Sequence, residues 1–279
     1  MKTIKILPLV ALAAGLALAS CTDVKSIETK IVHPWEEDSD MWDHYTQSLR
    51  DYKASEHNFV YVQLYNSPEH ASGEQCFMRC LPDSLDFVAL TNPAGLSEYD
   101  IEDLPMMKAK GTRVLLCVAD PAMAEAAAAV VGGASLDGWQ ICGRAAAAAV
   151  STLATSKAEG QWLVYDGEPS ELSAEDRALV DLFILPTSSL SDVQDVWMKY
   201  LSATLVCGIP GEKLLFSATP GATIRNEERQ DCDALTEMAS RVIKYKPVAG
   251  LAVLGSEGDY YHADGNYTAL RAVIGNLNR

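Results

Sequence analysis

Residues 135–144 read Ser135-Leu136-Asp137-Gly138-Trp139-Gln140-Ile141-Cys142-Gly143-Arg144. The apolar run from Leu136 to Cys142 is closed by Gly143, and an alanine-rich stretch from Arg144 to Lys157 follows at once. A short turn-bounded apolar run reads as a buried strand and an alanine run as a helix, so the segment is one strand–helix unit. Working outward, similar runs occur at Phe59 to Tyr65, Leu85 to Leu90, Arg113 to Ala119, Trp162 to Tyr165, Leu182 to Leu185, Leu214 to Ala218 and Gly250 to Leu254. Their starts are spaced roughly 20 to 40 residues apart, wider than hairpin-linked strands and suited to strand, loop, helix, loop.

The stretches between them carry helix signals. Ser97-Glu98-Tyr99-Asp100 and Ser173-Ala174-Glu175-Asp176 have the capping-box pattern, in which a hydroxyl and a carboxylate satisfy the first free N–H groups. Further helices are predicted over Pro121 to Val131, Arg144 to Lys157, Asp192 to Leu201, Cys232 to Tyr245 and Tyr267 to Leu277. Over Asp40 to Lys53, Trp42, Tyr45, Leu49 and Tyr52 recur at helical spacing, which places one more helix ahead of the first strand. Eight βα units predict an α/β fold of the (β/α)8 TIM-barrel type with a closed parallel sheet. The rival, an open doubly wound sheet, lacks its phosphate loop: no G-x-G-x-x-G follows the first strand and no Walker A sequence is present.

The 279 residues are 48% apolar and 22% charged, ample for one large core and against disorder as the main state. With 22 Lys and Arg against 38 Asp and Glu, the net charge is −16. Such a surface repels phosphate backbones and anionic headgroups, which excludes a nucleic-acid partner and polybasic membrane docking.

Lys2 and Lys5 followed by the apolar run Ile6 to Leu18 form a secretory leader, too short to span a bilayer. It ends in Leu18-Ala19-Ser20-Cys21, which resembles the bacterial lipobox and implies that Cys21 becomes the lipidated first residue. The expected organisation is a signal peptide over 1–20, an acidic tether over 21–39, and a single barrel with its preceding helix over 40–279. Lipid on Cys21 is the sole expected contact with a membrane. Among the remaining cysteines, Cys76 and Cys80 are close enough in sequence to pair, whereas Cys117 and Cys142 fall inside apolar runs and read as buried thiols. C-x3-C without a second His or Cys pair is a poor zinc site, and no metal or other cofactor is expected.

In a barrel, working residues project from the C-terminal ends of the strands. The predicted fourth strand resembles the signature of glycoside hydrolase family 18, the chitinases and endo-β-N-acetylglucosaminidases, whose pattern is D-G-x-D-x-D-x-E. Asp137 and Gly138 fill its first two places, but Gln140 and Cys142 stand at the second and third carboxylates and Arg144 at the catalytic acid. In this family the substrate's acetamido group is the nucleophile, a carboxylate orients it, and the terminal Glu protonates the leaving oxygen. An amide and a thiol cannot carry that charge at neutral pH, and a guanidinium cannot donate that proton. A shifted frame, placing Asp166 and Glu168 at the end of the signature, would restore an active endo-β-N-acetylglucosaminidase. It requires Trp162 to Tyr165 to be the fourth strand.

The resemblance extends to the family 18 lipoproteins of gut Bacteroidota through Leu49-Arg50-Asp51-Tyr52-Lys53, Tyr65-Asn66, Leu81-Pro82-Asp83-Ser84-Leu85-Asp86, Asp166-Gly167-Glu168-Pro169 and Tyr267-x-x-Leu270-Arg271. The sixth strand ends Leu185-Pro186-Thr187, where those enzymes offer a Gln and a Tyr to the acetamido group.

The expectation is a catalytically silent barrel that binds N-acetylglucosamine-containing glycan, lipid-anchored to the outer membrane at the cell surface. The alternatives are the shifted-site hydrolase and a non-sugar-binding component of an outer-membrane glycan-uptake complex. Sugar contacts are expected from aromatic faces with carboxylates and amides beside them. The candidates are Tyr65, Asn66, Asp120, Asp166, Glu168, Glu257, Asp259, Tyr260 and Tyr261. Arg144 is expected to begin the fourth helix or to pair with Asp120 or Asp166 across the mouth, and Trp139 to face the helix layer. Cys21→Ala is predicted to leave the chain unprocessed or to release it from membranes. Fractionation and maturation like wild type would show that Cys21 carries no lipid.

Overall fold

The computed structural model describes residues 33–66, 73–93 and 95–278. The leader and Cys21 lie outside the described residues. Two compact units divide between Trp42 and Asp43. In the described part of the first, the turn Pro34–Glu37 precedes the start of the helix Ser39–Ala54, and the rings of His33 and Trp35 stack at 4.5 Å.

The second unit is built on a closed parallel barrel. In chain order its strands are β1 Phe59–Leu64, β2 Phe87–Leu90, β3 Arg113–Val118, β4 Gly138–Cys142, β5 Trp162–Asp166, β6 Leu182–Leu185, β7 Leu214–Ala218 and β10 Gly250–Val253, with β10 closing onto β1. Two short strands missing from the sequence reading, β8 Thr223–Arg225 and β9 Asp231–Asp233, form an antiparallel hairpin after β7. At three residues each, they are too short to show a period.

Helices Glu98–Ala109, Ala124–Ala134, Ala149–Ser156, Ala174–Leu179, Val193–Leu201, Ala234–Lys244 and Thr268–Leu277 follow successive strands from β2 onward. The capping box forms as expected: Asp100 N–H donates to Ser97 Oγ at 3.2 Å and Ser97 N–H to Asp100 Oδ2 at 2.8 Å. Two helices start later than the sequence suggested. Asp120 takes the Ala122 N–H at 2.9 Å and holds Pro121–Met123 in a single tighter turn. Gly143, at φ 75°, swings the chain so that Arg144–Ala146 forms a similar turn before Ala149.

Alternation along each strand separates two cores. Tyr61, Phe87, Ala89, Leu115, Val164 and Ile184 fill the barrel, while Val60, Val62, Trp139, Ile141, Tyr165 and Phe183 pack under the helices. Trp139 is buried in the helix layer, with its indole N–H donating to the Ala127 carbonyl at 3.3 Å. Trp162 instead points into the barrel, where the Arg113 guanidinium lies 5.1 Å from its ring and 5.0 Å from that of Phe87.

A carboxylate immediately before an even-numbered strand recurs at the N-terminal end of the strands. Asp86 accepts from Val60 N–H at 2.9 Å, Asp137 from Val114 N–H at 2.8 Å and Asp181 from Leu163 N–H at 2.8 Å. Asp137, the first residue of the apparent family signature, therefore holds the start of β3 at the end of the barrel opposite the mouth. Gly138 follows it at φ 137°, where an added Cβ would lie 1.9 Å from the Trp162 carbonyl oxygen. Gly138→Ala is predicted to destabilise the fold by roughly 3 kcal/mol or more, since both the backbone conformation and the space are closed to a side chain. Urea unfolding measures this, and a loss under about 1 kcal/mol would show that β5 can move aside.

Candidate functional site

The open C-terminal end of the barrel gathers residues from β1, β3, β4 and β5. On β4, Gln140 and Cys142 share the inward face with Gly138. Gln140 is fully buried and bonded on both sides: its Oε1 accepts from the Tyr61 hydroxyl at 2.6 Å, and its Nε2 donates to Asp166 Oδ2 at 3.1 Å. Gln63 Nε2 donates to the same carboxylate oxygen at 2.7 Å. Phenol, two amides and one carboxyl thus form a continuous network across the barrel interior.

The electrostatics follow from burial. Asp166 is pushed above the ordinary carboxylate range by loss of solvent, and the amide bonds from Gln63 and Gln140 only partly oppose that. Burial likewise raises Tyr61 well above an ordinary phenol, with the Asp166 charge adding to the effect.

Beside this network, Cys117 of β3 and Cys142 of β4 are joined in a disulfide, with Cα atoms 6.6 Å apart. The sequence reading of these two as buried thiols is corrected. Both stand at mouth-facing positions of neighbouring strands, so the side chains meet across the sheet surface. Cys76 and Cys80, the pair suggested by proximity in sequence, are not joined to each other. Their segment is two successive tight turns, Glu74–Cys76 and Met78–Cys80.

Arg144 is exposed on the turn after β4, and no ion pair joins it to Asp120 or Asp166 among the described residues. Gly143 directs the chain away before its side chain can reach across the mouth. Asp166 ends the fifth strand, not the fourth, which removes the frame needed for the shifted signature. Glu168 is ion-paired with Lys199. At the end of β6, Thr187 is buried and exchanges hydrogen bonds with Ser217 of β7: Ser217 N–H donates to Thr187 Oγ1 at 2.7 Å, and Thr187 Oγ1 to Ser217 O at 2.8 Å.

The remaining candidates divide into two sets. Asn66, Asp259 and Tyr260 are buried and bonded within the fold, whereas Asp120 is exposed. Asn66 is buried and donates to Asp100 at 2.7 Å and to the Gly95 carbonyl at 3.0 Å. Asp120 caps the turn after β3. Asp259 accepts Leu270 N–H at 2.7 Å and so caps the last helix. Tyr260 is buried and donates to Glu74 at 2.6 Å. Tyr65, Glu257 and Tyr261 keep open surface, Tyr65 at 46% and Tyr261 at 68% exposure.

The network residues Tyr61 and Gln63 were not singled out from sequence. Their alternation in the apolar run Phe59 to Tyr65 was the available signal. Among the described residues, no group of three or more His, Cys, Asp or Glu is arranged to hold a metal ion.

Residues 22–130 match glycoside hydrolase family 18, BT1044-like. The match spans β1 to β3 and ends before β4. No curated protein matches the chain. Among solved structures, a selenomethionine Glu-to-Gln variant of BT1044 is 21% identical with a TM-score of 0.73, over 89% of this chain and 96% of that one. An endo-beta-N-acetylglucosaminidase from Cordyceps militaris in apo form is 16% identical with a TM-score of 0.64, over 85% of this chain and 96% of that one. Orotidine 5'-monophosphate decarboxylase from Methanocaldococcus jannaschii, 12% identical with a TM-score of 0.50 over 80% and 100% of the chains, has the same barrel. Likeness at these identities establishes architecture, and chemistry has to be argued from the site. Residues 22–130, with the first three barrel strands, thus resemble glycoside hydrolase family 18, BT1044-like, and the chain shares the full barrel of these structures.

Proposed function

We propose that the protein is a catalytically silent family 18-like lipoprotein that binds N-acetylglucosamine-containing glycan at the cell surface. The observation that carries this reading is the neutral amide of Gln140, held between Tyr61 and Asp166 where the signature requires a carboxylate. Its neighbours support the same conclusion. The Cys142 sulfur is bonded to Cys117, and the position of the acid belongs to an exposed guanidinium. Asp166 is the carboxyl within this network, and both glutamine amides are directed at one of its oxygens. An acid that must protonate a leaving group needs reach and a free proton path, and a general acid of this kind supplies about 10² to 10⁴ in rate.

Sugar binding does not depend on that acid. Tyr65 and Tyr261 offer aromatic surface, with the Tyr261 hydroxyl near Gln75 at 3.1 Å and Glu257 exposed four residues before it. The match to a BT1044-like family and the likeness to an endo-beta-N-acetylglucosaminidase make an N-acetylglucosamine-containing ligand the preferred one. Anchoring at the surface rests on the lipobox-like sequence at Cys21.

Calorimetry and product analysis with chitotetraose and N-glycan cores test this on lipid-free protein. Wild type should bind without turnover, and Tyr65→Ala or Tyr261→Ala should weaken binding roughly tenfold. Turnover that disappears in Asp166→Asn or Glu168→Gln overturns the silent reading. Absence of binding to either ligand overturns the glycan reading.

Asp166 gives a separate prediction. Its folded pKa is raised, so the ionised carboxylate costs stability at pH values above that folded value. The cost shrinks as pH falls through it and is gone below the unfolded value of about 3.9. Asn keeps an acceptor for both glutamines without the charge. Asp166→Asn should therefore melt higher than wild type at pH 7, with the difference closing toward pH 4. A lower melting temperature at pH 7 would mean that the charge itself supports the fold.

A further inference from the structure

A groove of about 830 Å3 lies on the outside of the barrel, between the helices Val193–Leu201 and Ala234–Lys244. Three aromatic rings form its apolar part. Trp197 stacks on Tyr200 with centroids 5.4 Å apart and planes 23° apart, and Tyr245 closes against Trp197 at 4.8 Å. Tyr200 covers one side of the indole, yet Trp197 is still 39% exposed. An aromatic ring held flat from behind and open to solvent is a rigid platform.

The rim is polar and its charges are largely paired, with Lys246 as one further exposed cation. Glu227 accepts from Lys244 Nζ at 2.5 and 2.7 Å and from Arg241 Nη1 at 2.7 Å. Arg241 is itself buried and anchored to Glu237, so the Glu227 carboxylate is fixed in place while its side chain stays half exposed. Gln194 adds an exposed amide on the facing helix.

These features select among ligands. A charged ligand gains little where Glu227 already holds Lys244 and Arg241, since the remaining cation, Lys246, is exposed and a surface charge pair contributes little. An anionic membrane surface is disfavoured by the chain's −16 charge. A sugar ring presents an apolar C–H face for Trp197 and a belt of hydroxyls that both donate and accept, matching Glu227, Lys244 and Gln194. The volume lies within the range of about 300 to 1,000 Å3 typical of small-ligand sites. We propose that this groove is a second saccharide-binding surface, separate from the barrel mouth, that takes neutral sugar rings stacked on Trp197.

Affinity electrophoresis in gels containing glycol chitin, glucomannan or xyloglucan tests the proposal, with the full mature chain as sample. At least one polymer should retard wild type. Trp197→Ala should weaken that retention about tenfold or more, as truncating a central aromatic anchor does. Trp197→Phe should keep most of it. Gln194→Ala, an exposed change, should weaken retention several-fold with an unchanged melting temperature, which keeps the test valid if Trp197→Ala misfolds. Retention lost in Tyr65→Ala or Tyr261→Ala but intact in both Trp197→Ala and Gln194→Ala assigns all binding to the mouth and overturns the proposal. So does failure of all three polymers to retard wild type.

Discussion

The start of β4 has no room for a Cβ, and this constraint fixes what the mouth can contain. With Gly138 pressed against the Trp162 carbonyl and Asp137 bonded to the start of β3, the alternation of the strand is set from its first residue. Gln140 and Cys142 must then point inward and Trp139 and Ile141 outward. A slip of one residue would send the Trp139 indole into the barrel and Gln140 under the helices. The Asp166 network and the disulfide both depend on this register.

The polar side chains of the mouth satisfy one another. Each buried polar group in the network has a partner: the Tyr61 hydroxyl donates, the Gln140 amide accepts and donates, and Asp166 accepts twice. Such a satisfied network rigidifies the site. Thr187 and Ser217 do the same between β6 and β7. The side chains at this end of the barrel bond chiefly to one another.

Much of this was legible in the sequence, for a physical reason in each case. Strands β6 and β7 were bounded correctly because apolar runs end sharply at turn residues. Burial of Trp139 against the helices followed from alternation. The Cys117 to Cys142 link was not legible, since only the sheet brings β3 and β4 side by side and nothing across a sequence separation of 25 encodes the approach. The same holds for Asn66, Asp259 and Tyr260. Each sits beside a loop or strand end and looks available in sequence, yet its partners, Asp100, Leu270 and Glu74, lie on other elements. Trp197 was hidden differently, because its helical neighbours make it look like one more buried residue.

The bond between Cys117 and Cys142 also makes the protein's history part of its structure. Closing a loop of this size removes about 3.5 kcal/mol of chain entropy from the unfolded state, and the closure ties two strands of the rim together. A chain folded among reductants would carry two thiols there, one within reach of the Gln140 amide. Two preparations of identical sequence would then differ at the barrel rim according to the oxidant each met while folding.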